Sequence, residues 1–202
     1  LDIAADSTGA EVYTEVKTAK EAMGASGTHA AAFWPKVAVG DKVYCMSAMA
    51  AALTAYNDAE NGDVPYESPS NKDLRITATV LADGTEVMLD QQQANDMLNA
   101  NGIITAINAN GFKLWGNNTA AYPSTSDPKD RWLAVRRFFD WDGNNFIRTY
   151  FQKVDKPGNK RLIQSIVDSQ NIVGNGYVAR DYCAGYRLEF VSEENPVTNL
   201  LN

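Results

Sequence analysis

The sequence predicts an α/β protein of the α+β kind, with a mixed β-sheet flanked by helices and followed by a smaller helix–helix–strand part. Helix and strand patterns alternate from residue 11 to residue 115, too often for a helical bundle or a β-sandwich. Residues 103–115 hold two strand patterns around an Asn108-to-Gly111 turn. The chain has 202 residues, 45% of them hydrophobic, so it is long enough to bury a sizeable core.

Each predicted element has a local signal. Ser47 and Asp90 predict helix caps, and Gly24, Gly62 and Gly102 predict helix ends. The helices expected in this part, which show apolar residues at helical spacing or small residues in a row, cover residues 11–23, 48–60 and 91–100. The strands, which carry β-branched or aromatic residues between turn signals, cover residues 29–34, 37–46, 74–81, 86–89, 103–107 and 112–115. Residues 37–46 lie around a turn at Gly40-Asp41.

A second part is predicted after a linker. Residues 116–127 are rich in Asn, Thr, Ser and Pro, as linkers are. A long helix over residues 128–152, opened by Asp127 and Pro128, is followed by a break at Lys156-Pro157-Gly158, a helix over 159–171 and a Gly-spaced strand region over 177–191. The predicted domains are therefore an α/β core over residues 1–120 and a C-terminal subdomain over residues 121–202.

Composition excludes several classes of function. The net charge of −7 disfavours nucleic-acid binding and an anionic membrane surface, since both need a concentrated positive field. The sequence has neither a run of about 18 apolar residues nor a signal peptide pattern, so membrane insertion is not predicted. Cys45 and Cys183 lie far apart without metal-site spacing, which favours reduced packing thiols over a disulfide or a metal site.

Three motifs have a functional interpretation and a structural one. Gly174 and Gly176 spell part of a dinucleotide fingerprint, but a helical pattern precedes them, so we expect a turn. Asp140 and Asp142 spell the start of a calcium loop, whose later ligands are missing, so we expect a polar interruption of a helix. His29, the only histidine, lacks a nucleophile elbow and is expected to be structural. We therefore predict no catalytic, cofactor or metal site, although hydrolysis by an aspartate pair stays open.

Three arginines form the candidate functional set. Arg131, Arg136 and Arg137 fall on the predicted long helix, whose apolar residues repeat at three- and four-residue spacing. Arg136 and Arg137 cannot both share the apolar face of that helix, so at least one is expected to face solvent or a partner. A guanidinium fork suits a carboxylate across a subunit boundary. A solvated face without a partner is the alternative.

Several segments, in order, resemble the sheath protein of contractile phage tails. The resemblance is carried by Leu98-Asn-Ala-Asn-Gly-Ile103, Ile107-Asn108 and Trp115-Gly-Asn117, followed by Arg131-Trp-Leu-Ala-Val-Arg-Arg137. Ala31-Ala-Phe-Trp-Pro35, the small-residue run from Ser47 with Asp58-Ala-Glu-Asn-Gly62, Ser68-Pro-Ser-Asn71, Gly185-Tyr-Arg-Leu-Glu-Phe190 and Glu194-Asn-Pro196 are also similar to the family. The sequence departs from the family at Asn118, where Arg is common, and at Ser68 and Ser70, which replace alanines.

This resemblance implies a structural subunit that polymerises around a tail tube and contracts to drive the tube through the host envelope. It implies other copies of the chain, the tail tube protein and baseplate proteins as partners, and no cofactor. The implied location is the virion tail, assembled in the host bacterial cytoplasm. The chain is expected to be a core fragment without the N- and C-terminal arms that join family members by strand addition. A small α/β hydrolase and a non-catalytic binding module are the alternatives.

Overall fold

The computed structural model describes residues 1–156 and 159–191, which divide into two compact units. The first unit is Leu1–Phe139 and the second begins at Asp140. The helices are α1 Val16–Ala22, α2 Met46–Glu60, α3 Gln91–Gln93, α4 Pro128–Arg131, α5 Leu133–Tyr150 and α6 Lys160–Ala179. The strands are β1 Ala32–Phe33, β2 Lys36–Val39, β3 Lys42–Tyr44, β4 Ala78–Val80, β5 Ile103–Asn108 and β6 Phe112–Trp115. The predicted α+β class is confirmed.

The first sheet has the strand order β1-β5-β6 and both of its edges are covered. β1 runs parallel to β5, and β5 pairs antiparallel with β6. Beside β1, the Ile3 N–H donates to the Phe33 carbonyl at 2.9 Å. Beside β6, the Leu74 N–H donates to the Phe112 carbonyl at 2.8 Å. The N-terminal segment and residues 71–74 therefore act as short extra strands.

The second sheet has the order β3-β2-β4, and its strands are all antiparallel. Gly40, at φ +59°, provides the tight turn between β2 and β3, as its sequence predicts. Beyond β4, the Val87 N–H donates to the Thr79 carbonyl at 2.8 Å. One edge of this sheet is thereby paired, whereas β3 forms the other edge.

Strand β5 is buried on both faces. Ile103 is 0% exposed and packs in a cluster with Ile3, Trp34 and Leu98. Ile104, on the opposite face, is 1% exposed and packs in a second cluster with residues of both sheets and of α2, namely Phe33, Leu114, Val37 and Met46. β5 therefore connects the two hydrophobic clusters of the first unit.

Both ends of the segment that precedes β5 are fixed by specific contacts. Asp90 accepts from the Gln93 N–H at 2.7 Å and the Gln93 side chain accepts from the Asp90 N–H at 3.1 Å, a capping box. After α3 the chain continues as a π-helical turn and a short 3-10 turn, and Gly102 ends it at φ +69°. Lys20, which is 6% exposed, donates from Nζ to the Asn101 and Tyr122 carbonyls at 2.6 and 2.8 Å. Burial lowers the pKa of Lys20 to about 8.

The cap of α2 comes from far away in the sequence and corrects the predicted role of Ser47. α2 begins at Met46, one residue before Ser47. The Ser47 N–H donates to Asp2 Oδ1 at 2.9 Å, and the Ser47 hydroxyl donates to the same carboxylate. A carboxylate at a helix N-terminus satisfies N–H groups that lack an intrahelical acceptor. Asp2 thus fixes the N-terminal segment to both β1 and α2.

The predicted long helix is broken at Trp132. α4 ends at Arg131, and Trp132 has an extended backbone at φ −87° and ψ 119° before α5 starts. The break has a partner, because the Leu133 N–H donates to the Asn117 carbonyl at 2.8 Å and the Thr119 N–H donates to the Arg131 carbonyl at 2.7 Å. This short bridge forms between distant residues, which explains why the local helical pattern did not indicate it.

The predicted linker belongs to the packed first unit. Thr119, Ala120 and Ala121 are at most 5% exposed, and the Ala120 N–H donates to the Ala30 carbonyl at 2.8 Å. The division of the chain into two units falls within the sequence of α5, between Phe139 and Asp140. The proposed family domains, residues 1–120 and 121–202, stay a prediction.

The second unit is held by a polar and aromatic cluster around Tyr186. The Tyr186 hydroxyl donates to Asp142 Oδ2 at 2.8 Å, and the Gln170 amide donates to Tyr186 at 3.0 Å. Burial raises the pKa of Tyr186 to about 12. The Tyr186 ring also meets the Tyr177 ring edge-on at 5.9 Å, and Tyr177 stacks at a tilt on Trp141 at 5.5 Å. Asp142 is therefore a structural hydrogen-bond acceptor within α5.

Two predictions for this unit are wrong. The predicted turn at Gly174 and Gly176 is the interior of α6, which extends to Ala179. The predicted strand region 177–191 contains no strand within its described residues. Instead, Asn171 of α6 accepts from the Leu188 N–H at 2.8 Å and donates to the Leu188 carbonyl at 3.0 Å, so a side chain takes the place of a neighbouring strand. The predicted break at Pro157-Gly158 and the segment Glu194-Asn195-Pro196 lie outside the described residues.

We expect Gly174→Ala to destabilise the second unit, although alanine is the better helix former by about 1 kcal/mol. A Cβ atom at position 174 would overlap the Tyr186 ring, and overpacking of this kind costs about 1–3 kcal/mol. Gly176→Ala is the matched control, because a Cβ atom there meets open space. Urea unfolding followed by circular dichroism measures both. Equal stability of the two variants would contradict the packing of Tyr186 on α6.

Candidate subunit interface

Arg131 is held by aromatic rings at the end of α4. Its guanidinium carbon lies 4.2 Å from the centre of the Tyr122 ring and 4.3 Å from that of Trp132. Its Nε donates to Asn118 Oδ1 at 3.2 Å, and Asn118 in turn donates to the Asn99 carbonyl at 2.8 Å. Arg131 therefore connects the α4 end to residues 118–122.

Arg136 and Arg137 point to different neighbours, as their positions one residue apart on α5 predict. Arg136 donates to Asp130 Oδ1 at 3.0 Å. Arg137 forms a fork with Asp58 of α2, in which Nη1 lies 3.3 Å from Oδ1 and Nη2 contacts Oδ2. The side chains of Arg136 and Arg137 are 18% and 26% exposed. Both guanidinium groups are therefore paired inside the first unit and present only a rim to solvent.

The structure thus brings Arg131 and Arg136 together around α4, and it places Arg137 against α2. The three side chains do not form one exposed basic face. Their contribution to a subunit interface stays a prediction, and the pairing shows that each also has a role in the fold.

An exposed sheet edge is a candidate interface that sequence reasoning missed. β3 pairs with β2 on one side only within the described residues. The exposed apolar side chains Val39, Val43 and Tyr44 lie on this hairpin, at 39%, 40% and 42% exposure. Unpaired main-chain groups beside apolar side chains suit the addition of another strand. The sequence signal for this edge was the short β2–β3 hairpin. It has no adjacent strand pattern in the sequence that could pair with the open side of β3.

Two of the groups with known catalytic chemistry are engaged in contacts that hold the fold. Ser47 binds Asp2, and Asp58 binds Arg137. His29 is exposed, with Nδ1 at 3.0 Å from the Thr28 hydroxyl. In residues 1–156 and 159–191 no group of three or more His, Cys, Asp or Glu residues is placed to hold a metal ion. Cys45 and Cys183 are not in a disulfide.

None of the described helices combines the length and the apolar character that crossing a membrane requires.

The Arg137–Asp58 fork should stabilise the first unit. In a double-mutant cycle with Arg137→Met and Asp58→Asn, we expect a coupling energy of about 1 kcal/mol, because the pair is half-buried and bidentate. The control cycle uses Arg187 and Glu189, whose side chains are 80% and 57% exposed. That exposed pair should couple by less than about 0.5 kcal/mol. Equal coupling in the two cycles, measured by urea unfolding, would show that Arg137 has no special role in the fold.

Two relatives found by comparison with known proteins have the same description. No model of a known protein family matches the sequence. The chain is 33% identical over 159 residues to the tail sheath protein of Burkholderia phage BcepMu, across 77% of this chain and 32% of that protein. It is 28% identical over 190 residues to the tail sheath protein of Escherichia phage P2, across 87% of this chain and 45% of that protein. The chain therefore spans from about a third to just under half of the length of these relatives.

The fold agrees with the sequence comparison. The sheath complex of an extracellular contractile injection system, PVC, in its contracted state matches with a TM-score of 0.73. That match covers 93% of this chain and 50% of the other, at 17% sequence identity. The order of motifs, the two sheets and these similarities agree, and the chain belongs to the contractile tail sheath family.

Proposed function

We propose that this chain is a structural part of a sheath subunit that polymerises around a tail tube and contracts to drive the tube through a host envelope. The observation that carries the proposal is its 33% identity with a phage tail sheath protein over 77% of its length. Its partners are other copies of the same subunit, the tail tube protein and baseplate proteins. Its place is the tail of a phage or phage-like particle, assembled in the bacterial cytoplasm.

The sheet edges support a role in a polymer. Both edges of the first sheet are already paired within the chain. In the second sheet, β3 presents the main-chain groups of an open edge within the described residues. A strand from a neighbouring copy adds at β3, with Val43 and Tyr44 contacting its side chains. Linkage at one defined edge orders copies in a fixed direction, because the donor and acceptor surfaces differ.

The three arginines support the same proposal from a second surface. A guanidinium carries five N–H donors, so an ion pair inside the chain still allows a second carboxylate to bind at the exposed rim. Arg136 and Arg137 present such rims, and Arg131 fixes the adjacent segment 118–122. In this proposal the subunit has a structural role and catalyses no reaction. The energy for contraction comes from a change between two packings of the subunits and requires no nucleotide.

The test of the sheath role is assembly. Expressed from its full gene together with the tail tube protein, the wild-type subunit should form sheathed tubes in negative-stain electron microscopy. Val43→Lys should abolish or shorten them, because a lysine on an edge strand opposes strand addition. The monomer should remain folded, since Val43 is 40% exposed and its substitution removes little core packing.

Met88→Lys is the matched control, because Met88 is 79% exposed and lies outside the β3 hairpin. It should assemble like the wild type. Failure of the wild-type subunit to assemble around the tail tube under any condition would overturn the sheath role. Normal tubes from Val43→Lys would overturn the role of β3 and leave the sheath role intact.

A further inference from the structure

A cleft on the first unit has an apolar floor. It has a volume of about 800 Å³ and lies between residues 49–60 of α2 and residues 67–75. Met49, Leu53 and Tyr56 line it at intervals of four and three residues, so they share one face of α2 about 10 Å long. Tyr56 is 61% exposed, and Leu74 closes the floor at 5% exposure. This face is therefore shaped to receive apolar side chains.

Three of the charged groups in the wall of the cleft are engaged in ion pairs, and the exposed Arg75 also lies in this wall. Lys72 donates to Glu67 at 2.6 Å, and Asn61 donates to the same carboxylate at 3.1 Å. These hydrogen bonds hold the pKa of Glu67 below its usual value. Asp73 accepts from Lys113 at 2.5 Å. A small polar ligand would have to compete with these pairs, whereas an apolar partner would not.

One end of the cleft is negative. Residues 53–66 contain Asp58, Glu60 and Asp63 and neither lysine nor arginine. α2 ends at Glu60 without a basic side chain in its last turn, so the partial negative charge of the helix C-terminus adds to the acids. Arg137 offsets Asp58, and the exposed Glu60 extends the negative rim.

The second unit carries a stripe with complementary properties. Ile147, Phe151 and Val154 are 59%, 67% and 60% exposed and follow the same intervals of four and three residues. Ile147 lies near the end of α5, Phe151 opens the short 3-10 turn that follows, and Val154 ends that turn. Within residues 147–156 the charged side chains are the basic Arg148, Lys153 and Lys156 and the acidic Asp155. The stripe is therefore apolar along its centre and basic at its flank.

We propose that the cleft of one subunit receives the Ile147–Phe151–Val154 stripe of a second copy, an inference that rests on the sheath function proposed above. Helices bind in apolar grooves through anchors spaced i, i+4 and i+7. The end of α5 and the 3-10 turn after it present their apolar side chains at the same spacing. Arg148 then meets the negative rim at Glu60. The cleft and the stripe are different surfaces, so the contact is heterologous and repeats from copy to copy in an open polymer.

Disulfide trapping tests this contact in the assembled full-length protein. In a background with Cys45→Ser and Cys183→Ser, Tyr56→Cys combined with Phe151→Cys should give a ladder of dimers, trimers and larger species on oxidation. A ladder beyond the dimer is expected because each copy donates one stripe and offers one cleft. Met88→Cys combined with Phe151→Cys is the control and should give no ladder.

Charge reversal provides an independent readout on the same pair of surfaces. Glu60→Arg or Arg148→Glu alone should slow ladder formation by about three- to tenfold, and the two changes together should restore it. Both side chains are exposed, so neither change should unfold the subunit. A missing ladder, a ladder equal to the control, or a double reversal without recovery would overturn the contact.

The outcomes for the contact and for the sheath role are separable. Sheathed tubes without a ladder would overturn this contact and leave the sheath role standing. A ladder from a protein that never encloses a tail tube would support the contact and overturn the sheath role.

Discussion

Burial of β5 on both faces is the constraint on which the first unit depends. Ile103 and Ile104 point to opposite sides of the sheet and belong to different hydrophobic clusters, at 0% and 1% exposure. A strand buried in this way must have its main-chain groups paired on both sides, because unpaired buried groups are costly. β1 and β6 provide that pairing, and each is in turn covered by a short segment from elsewhere in the chain.

This arrangement determines which surfaces are left for other molecules. The edges of the first sheet are used by Leu1 to Ile3 and by residues 71–74, which is why we propose strand addition at β3 of the second sheet. The three arginines are likewise used for contacts inside the first unit. Arg131, Arg136 and Arg137 join α4, α5 and α2 inside the unit, and a subunit contact at their rims would act on a surface already braced by ion pairs. A rigid core with few defined contact sites suits a polymer whose subunits move as bodies between two packings.

The sequence indicated the elements whose signals are local. The β5–β6 hairpin, the cap at Asp90 and the end at Gly102 depend on neighbouring residues, and the structure confirms all three. The features that the sequence did not predict depend on contacts between residues far apart in the chain. Asp2 caps α2 from 45 positions away, and the extended Trp132 is held by residues 117–119. Gly174 lies within α6 where the Tyr186 ring leaves no room for a Cβ atom, a contact that no local pattern shows. The open β3 edge is likewise a property of the assembled sheet.

Native-state hydrogen exchange of the purified chain tests the role of β5 most directly. If burial of both faces of β5 holds the first unit together, the amides of Ile104 to Ile107 should exchange only through global unfolding of that unit. Their protection should then correspond to the unfolding free energy measured with denaturant, whereas amides of the exposed β3 strand should exchange through smaller openings. Exchange of the β5 amides at the same rate as those of β3, well before global unfolding, would contradict the account.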